Sequence, residues 1–60
     1  MNKDIAEGKA KQIKGKAKEE AGKIAGDTSR EIRGVSERIA GKIQEEYGKA
    51  KRDIKKAMDD

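Results

Sequence analysis

Apolar residues recur at steps of three or four along almost the whole chain, and this spacing limits what the chain can fold into. One face of an α-helix collects residues at that spacing, whereas a half-buried strand needs strict alternation. Proline is absent, and most residues are good helix formers. We therefore predict an all-α fold. The apolar stripe comprises Ala6, Ala10, Ile13, Ala17, Ala21 and Ile24, and then Ile32, Val35, Ile39, Ile43, Tyr47, Ala50, Ile54 and Ala57.

Residues 25–28 interrupt this pattern with signals for a helix end and a helix start. Gly26 stands where a left-handed C-terminal cap would form. Thr28 and Glu31 have the spacing of a capping box, and Asp27 adds a favourable negative charge near the next N-terminus. We expect the first helix to end and the second to begin within these residues.

Two amphipathic segments result, at about residues 3–24 and 29–57. Asn2 can cap the first of them, with Asp4 in its first turn. So short a connection favours antiparallel neighbours, and we predict a small helical hairpin or bundle.

The two halves of the chain repeat each other at an offset of 26 residues. Residues 8–27 and 34–53 share the pattern I-x-G-K-x-x-E-E-x-G-K. Such repeats are typical of two similar structural units packed together. We predict a single domain over residues 1–60 that contains these two repeats.

Six glycines inside the segments need an explanation, because each costs about 1 kcal/mol relative to Ala in a helix. One interpretation, which we prefer at this point, places them on a solvent face opposite the stripe. A second has them break the segments into four short helices, and a third uses them for close helix–helix approach. They lie seven residues apart within each half, at Gly8, Gly15, Gly22, Gly34, Gly41 and Gly48.

The apolar inventory is thin for a chain of 60 residues, since 8 of the 19 hydrophobic residues are Ala. Burying an Ile contributes roughly 1.5–3 kcal/mol, and an Ala far less. We expect the Ile stripe to form the core, with Tyr47 at its edge, and Ile39→Asp to unfold the helix pair. We therefore expect a fold of marginal stability, or one that a partner such as a second copy stabilises.

The residues that most catalytic and metal sites need are missing. Neither Cys nor His occurs, which removes the usual nucleophiles, bases and soft metal ligands. Consecutive acids, such as Glu19 and Glu20 or Glu45 and Glu46, diverge by about 100° on a helix and cannot share a proton. Glu19 and Glu45 are instead expected to pair with the lysines four residues later. We predict no catalytic residue, cofactor or metal site and no small-molecule substrate.

A run of lysines without acids is the one feature that points to a partner. It could be a solvated face, which we prefer, a non-specific contact for nucleic-acid phosphates, or a contact for an anionic membrane surface. The stacking aromatics of single-strand binders are absent apart from Tyr47, and few large apolar residues are available for membrane insertion. The candidate contacts are Lys9, Lys11, Lys14, Lys16 and Lys18.

Two stretches, Gly8–Ile24 and Ile39–Lys49, resemble the CsbD-like family of bacterial general stress proteins. The most specific pieces are K-Q-I-K-G-K and G-K-I-Q-E-E-Y-G with their spacing, and the similarity covers about residues 1–50. The resemblance implies a small cytoplasmic protein induced by stress, built of short helices like two crossed hairpins. Longer members carry larger side chains at some of the Ala positions, which here makes a hairpin, a dimer or partial disorder more plausible.

We therefore expect a small hydrophilic stress-response protein without catalytic activity that acts through surface contacts. The alternative is a non-specific nucleic-acid-binding module that uses the Lys9–Lys18 face. No apolar run approaches the length of a membrane span, and Met1–Gly8 lacks the apolar core of a signal peptide. The expected location is the cytoplasm, with a membrane surface the least favoured partner.

Overall fold

Two long α-helices, α1 (Asn2–Ala25) and α2 (Thr28–Asp59), run antiparallel and contact each other along the length of α1. The structure is a computed structural model that describes residues 2–59, with side chains for residues 3–58. The predicted all-α hairpin is confirmed. Both helices continue without interruption through their internal glycines, so the division into four short helices does not occur.

The turn between the helices is a Schellman motif centred on Gly26. Gly26 has a φ of 70°, in the left-handed region that favours glycine. Its N–H donates to the carbonyl of Lys23 at 3.3 Å, and the N–H of Asp27 donates to the carbonyl of Gly22 at 2.8 Å. The predicted left-handed cap at Gly26 is confirmed, and it reverses the chain with only two residues between the helices.

Asp27 caps the N-terminus of α2. Its Oδ1 accepts a hydrogen bond from the N–H of Arg30 at 3.1 Å, and its carbonyl accepts one from the N–H of Glu31 at 3.1 Å. The predicted capping box is wrong in its position, because Thr28 is already the first helical residue. The predicted cap by the Asn2 side chain lies outside the described side chains.

Glycines, not isoleucines, form the contact between the two helices. All six helical glycines are buried, and a Cβ on Gly15 or Gly34 would collide with the backbone of the facing helix. The preferred interpretation of a solvent face is therefore wrong, and close approach is correct. The six glycines, Gly8, Gly15, Gly22, Gly34, Gly41 and Gly48, are called the glycine seam below.

The glycine seam brings backbone against backbone. A Cβ on Gly8 would lie 2.5 Å from the carbonyl oxygen of Gly41, and a Cβ on Gly41 would lie 2.5 Å from that of Gly8. Gly15 and Gly34 make the same reciprocal contact. The glycine hydrogens on this side therefore face the carbonyl oxygens of the other helix, the arrangement in which Cα–H···O contacts worth about 0.5–1 kcal/mol form.

The predicted isoleucine core is wrong. Residues two positions from a glycine on an α-helix point about 200° away from it, so a seam of glycines turns the apolar stripe outward. No hydrophobic residue in the described part of the chain is buried. Ile39 is 49% exposed and Tyr47 is 61% exposed, where a core position was expected. The large exposed residues are Ile13, Ile24, Ile32, Ile39, Ile43, Tyr47, Ile54 and Met58.

The hairpin is a narrow ribbon whose Cα atoms span 52 × 12 × 9 Å. Gly48 lies against Asp4 and Ile5 near the start of α1. The part of α2 that follows Lys51 therefore continues past the beginning of α1. Ile54 and Met58 lie on this extension.

Candidate interaction surface

Glu45 is the most buried charged side chain beside the glycine seam, with 5% of its surface exposed. Gln12 on the facing helix donates a hydrogen bond to its Oε1, and the Nζ of Lys49 lies 3.0 Å from its Oε2. These contacts, the Gln12 hydrogen bond first, hold the pKa of Glu45 below its ordinary value. The same ion pair raises the pKa of Lys49. The predicted pairing of Glu45 with Lys49 is confirmed.

Glu19 occupies the equivalent place at the other end of the seam. Arg38 of α2 approaches its Oε1 at 3.3 Å, and the predicted partner Lys23 lies 4.0 Å from its Oε2. The consecutive acids diverge as expected, because Glu20 is exposed while Glu19 is half-buried. The carboxylates beside the seam are thus engaged in structural contacts.

A second row of polar contacts follows the opposite flank of the seam. Lys18 and Glu37 form an ion pair at 2.6 Å, which lowers the pKa of Glu37. Lys51 lies 3.3 Å from Asp4 and lowers the pKa of that carboxyl in the same way, with Gln44 as a further donor. Charged and amide side chains therefore close both sides of the backbone contact.

These contacts obey a local two-fold relation. Adding 26 to the residue in α1 and subtracting 26 from the residue in α2 converts one contact into another. The pair of Gln12 with Glu45 becomes the pair of Arg38 with Glu19. The pair of Lys11 with Gln44 and the glycine pairs transform in the same way. The offset is that of the sequence repeat.

The five candidate lysines do not form one surface. At 100° per residue, Lys9 and Lys16 lie on one flank of α1, and the others lie on the opposite flank. Lys11 donates to Gln44 at 2.7 Å, and Lys18 pairs with Glu37. The structure thus groups Lys11, Lys14 and Lys18 and separates them from Lys9 and Lys16. The run is continuous in the sequence but divided between two flanks in space, and its contact with an anionic partner stays a prediction.

A groove of about 420 Å³ opens near the turn, between small residues of α1 and arginines of α2. No direct signal in the sequence marks this groove, since the apolar spacing predicts a core position for the alanines and the arginines belong to the other helix. Its basic side chains are exposed, and Arg30 is only loosely paired with Asp27, at 3.9 Å. This loop-end groove is lined by Ala17, Lys18, Ala21, Arg30 and Arg33.

The total accessible surface is large for the mass of the chain. It amounts to 4529 Å² for 6.6 kDa. A compact monomer of this mass exposes about 3,900 Å². The excess of about 600 Å² reflects the elongated shape of the ribbon, which buries backbone and glycine along its seam and leaves most of its large apolar side chains in solvent. Contiguous exposed apolar surface is typical of interaction sites.

Two other features, a metal-binding cluster and a membrane-spanning helix, are absent from the described residues. No cluster of three potential metal-ligating side chains occurs there. Neither helix has a stretch of the length and hydropathy that a bilayer span requires.

Comparison with known proteins places the chain in a family. The model of the family described as CsbD-like matches residues 4–56, which covers both helices and the turn. Comparisons with curated proteins and with solved structures each found no significant match. The match spans most of the chain, so the chain belongs to the CsbD-like family, which is associated with the general stress response.

Proposed function

We propose that this protein acts in the stress response without catalysis, by presenting the outer apolar stripes of its hairpin to other macromolecules. The observation that carries the proposal is the exposure of the six isoleucines of the stripe and of Tyr47. A chain that needed these side chains for its own core would bury them. Here the glycine seam and its polar flanks join the helices, and the apolar side chains remain available for contact.

The surroundings of the stripes support reversible contact. Charged residues make up 47% of the chain, with a net charge of +4. Such a surface opposes uncontrolled aggregation while single apolar side chains stay accessible. The cytoplasmic location remains a prediction from the sequence.

The test is complementation of a strain that lacks the gene, under heat, salt and stationary-phase challenge. The test variant replaces Ile13, Ile39 and Ile43 with Gln, and we expect it to lose the protective effect. These side chains are 73%, 49% and 65% exposed, so helicity measured by circular dichroism should persist.

The matched control replaces Lys9, Lys16 and Lys42 with Gln, three exposed charges outside the stripes. It should protect as well as the original protein. Full protection by the isoleucine variant, at equal protein level, would refute the proposal. So would loss of protection by the lysine variant alone.

A further inference from the structure

Positive charge is concentrated on one flank of the hairpin near the turn. Three lysines lie on the same flank of α1, and the loop-end groove places two arginines of α2 beside one of them. Between residues 11 and 37, all of which the structure describes, Glu37 is the one helical carboxylate on this flank. We call the five basic residues the basic patch. It comprises Lys11, Lys14, Lys18, Arg30 and Arg33.

The other flank of the same stretch carries no excess of charge. Its basic and acidic side chains are equal in number, and some of them pair with each other. Glu19 approaches both Arg38, at 3.3 Å, and Lys23, at 4.0 Å. The structure therefore divides the hairpin near the turn into a basic flank and a neutral one. The neutral flank carries Lys16, Lys23 and Arg38 together with Glu19, Glu20 and Glu31.

The lysines of the basic patch act on one carboxylate. Lys18 and Glu37 form the ion pair at 2.6 Å. The hydrogen bond from Lys18 is the first cause of the lowered pKa of Glu37, and the charges of Lys14 and Lys11 add to it. Lys11 itself donates to the uncharged amide of Gln44. One carboxylate therefore faces three lysines, and most of their positive charge remains uncompensated.

The arginines of the basic patch are available to a ligand. The Nε of Arg30 lies 3.9 Å from the Oδ2 of Asp27, and Arg33 forms no ion pair with a described side chain. Both arginines are exposed along the loop-end groove, whose α1 side includes Ala17 and Ala21. These short side chains leave room for an anion beside the guanidinium groups, which suit the geometry of a phosphate.

The surroundings of the basic patch favour a nucleic-acid duplex as the source of the phosphates. Insertion into an anionic membrane uses large apolar side chains on the basic surface, whereas the groove beside these cations is lined by alanines. Single-strand binding uses stacked aromatic rings, and the single aromatic residue, Tyr47, lies at the other end of the hairpin beside Lys51. A duplex needs neither, because cations alone can bind its backbone.

We propose that the basic patch binds the phosphate backbone of double-stranded nucleic acid, without preference for its sequence. From Lys11 to Lys18 the patch extends about 10 Å along α1. A duplex presents one phosphate charge for about every 1.7 Å of its axis, so several phosphates face a patch of this length. Lys9 and Lys16 lie on the other flank and have no part in it. This activity goes beyond the proposed function, because it uses charges and not the apolar stripes.

The test is binding of the full chain to a fluorescently labelled DNA duplex of arbitrary sequence, followed by anisotropy over a series of NaCl concentrations. Counting the four cations other than Lys18, the logarithm of the binding constant should fall with the logarithm of the salt concentration with a slope of about −4. The variant Arg30→Gln with Arg33→Gln should make this slope less steep by about 2 and weaken binding at low salt at least about tenfold.

The matched control is Lys9→Gln with Lys16→Gln. It removes the same charge from the other flank of the hairpin, and we expect it to keep the affinity and the salt slope of the original protein. All four replaced side chains are exposed, so circular dichroism should show that both variants retain their helicity. Unlabelled single strands and vesicles that contain phosphatidylserine serve as competitors for the duplex.

Salt-sensitive binding that prefers the duplex, and that the arginine variant loses while the lysine control keeps it, supports the proposal. No binding at low salt overturns it. An equal loss in both variants also overturns it, because attraction by net charge alone would have that result. Stronger competition by single strands or vesicles than by an unlabelled duplex overturns it and assigns the patch to that partner. The proposed function is tested separately by the isoleucine variant in cells, so either can fail alone.

Discussion

Replacing Gly15 with Ala tests the glycine seam, because the two possible environments of this residue predict opposite signs. On an exposed helix face, Gly→Ala stabilises by about 1 kcal/mol through helix propensity. In the structure, the added Cβ would lie 2.5 Å from the carbonyl oxygen of Gly34. Neither backbone atom can move without separating the helices, so the substitution should destabilise the hairpin.

The magnitude follows from three contributions. Overpacking at a tight contact costs about 1–3 kcal/mol, and a lost Cα–H···O contact costs about 0.5–1 kcal/mol. The helix propensity of Ala offsets about 1 kcal/mol of this. The net loss is therefore about 0.5–3 kcal/mol, and each kcal/mol lowers the melting temperature by roughly 4–8 °C in a domain of this size.

The assay is thermal unfolding followed by circular dichroism, at a protein concentration low enough to exclude association. Ala10→Gly is the control, since Ala10 is exposed on the same helix and should report propensity alone, a loss of about 1 kcal/mol. A higher melting temperature for Gly15→Ala than for the original protein would show that the residue faces solvent, and the seam would be wrong.

Three further predictions concern single side chains and pH. Ile39→Asp should leave the monomeric hairpin folded and lower the free energy of unfolding by less than about 1 kcal/mol, because the side chain is 49% exposed. Unfolding seen by circular dichroism would instead support a buried isoleucine core. The carboxyls of Asp4, Glu37 and Glu45 have lowered pKa values in the folded hairpin. Their contribution to its stability is therefore present above about pH 4.3 and is lost as the pH falls through the folded-state pKa values. A melting temperature that rises on acidification would contradict this. The proposed function assigns protection to the apolar stripes, so reversing the charge of Lys11, Lys14 and Lys18, which share one flank of α1, should leave stress protection largely intact. A large loss with helicity retained, together with salt-sensitive mobility shifts of DNA by the original protein, would favour the nucleic-acid hypothesis.

The helices and the turn could be predicted from local rules. Hydrophobic spacing, the absence of proline and Gly26 act over a few residues, and the structure has the helices and the left-handed cap where these signals place them. The cap of α2 was misplaced by one residue because Asp27 and Thr28 are both good capping residues and stand side by side. To choose between Asp27 and Thr28 as the cap, one must know at which residue α1 ends.

The packing of the helices could not be predicted by the same rules. Hydrophobic periodicity identifies a face but does not say that this face is buried. Gly15 and Ile13 lie on opposite sides of α1, and the usual assumption buries the isoleucine. The seven-residue spacing of glycines in both halves was the available signal, but its use depends on the register of two backbones. That register becomes visible only when both helices are placed.

For the candidate surface as well, local features could be predicted from the sequence and contacts between the helices could not. The lysines were found in the sequence because they form a run, and the structure then separated them. Arg30 and Arg33 were not singled out, because their neighbours in space, Ala17 and Ala21, belong to the other helix. Surfaces that combine two helices require tertiary information.

The reciprocal contact between glycine backbones has a consequence for how such a protein can change over generations. Hydrogens on Cα and carbonyl oxygens belong to the main chain, so the packing of α1 against α2 depends little on which side chains point outward. Outward positions can then be exchanged one at a time while the helices stay joined, whereas a side chain at Gly8, Gly15, Gly34 or Gly41 would collide with the facing backbone and cost stability. A fold of this kind can acquire new binding preferences while its architecture stays the same.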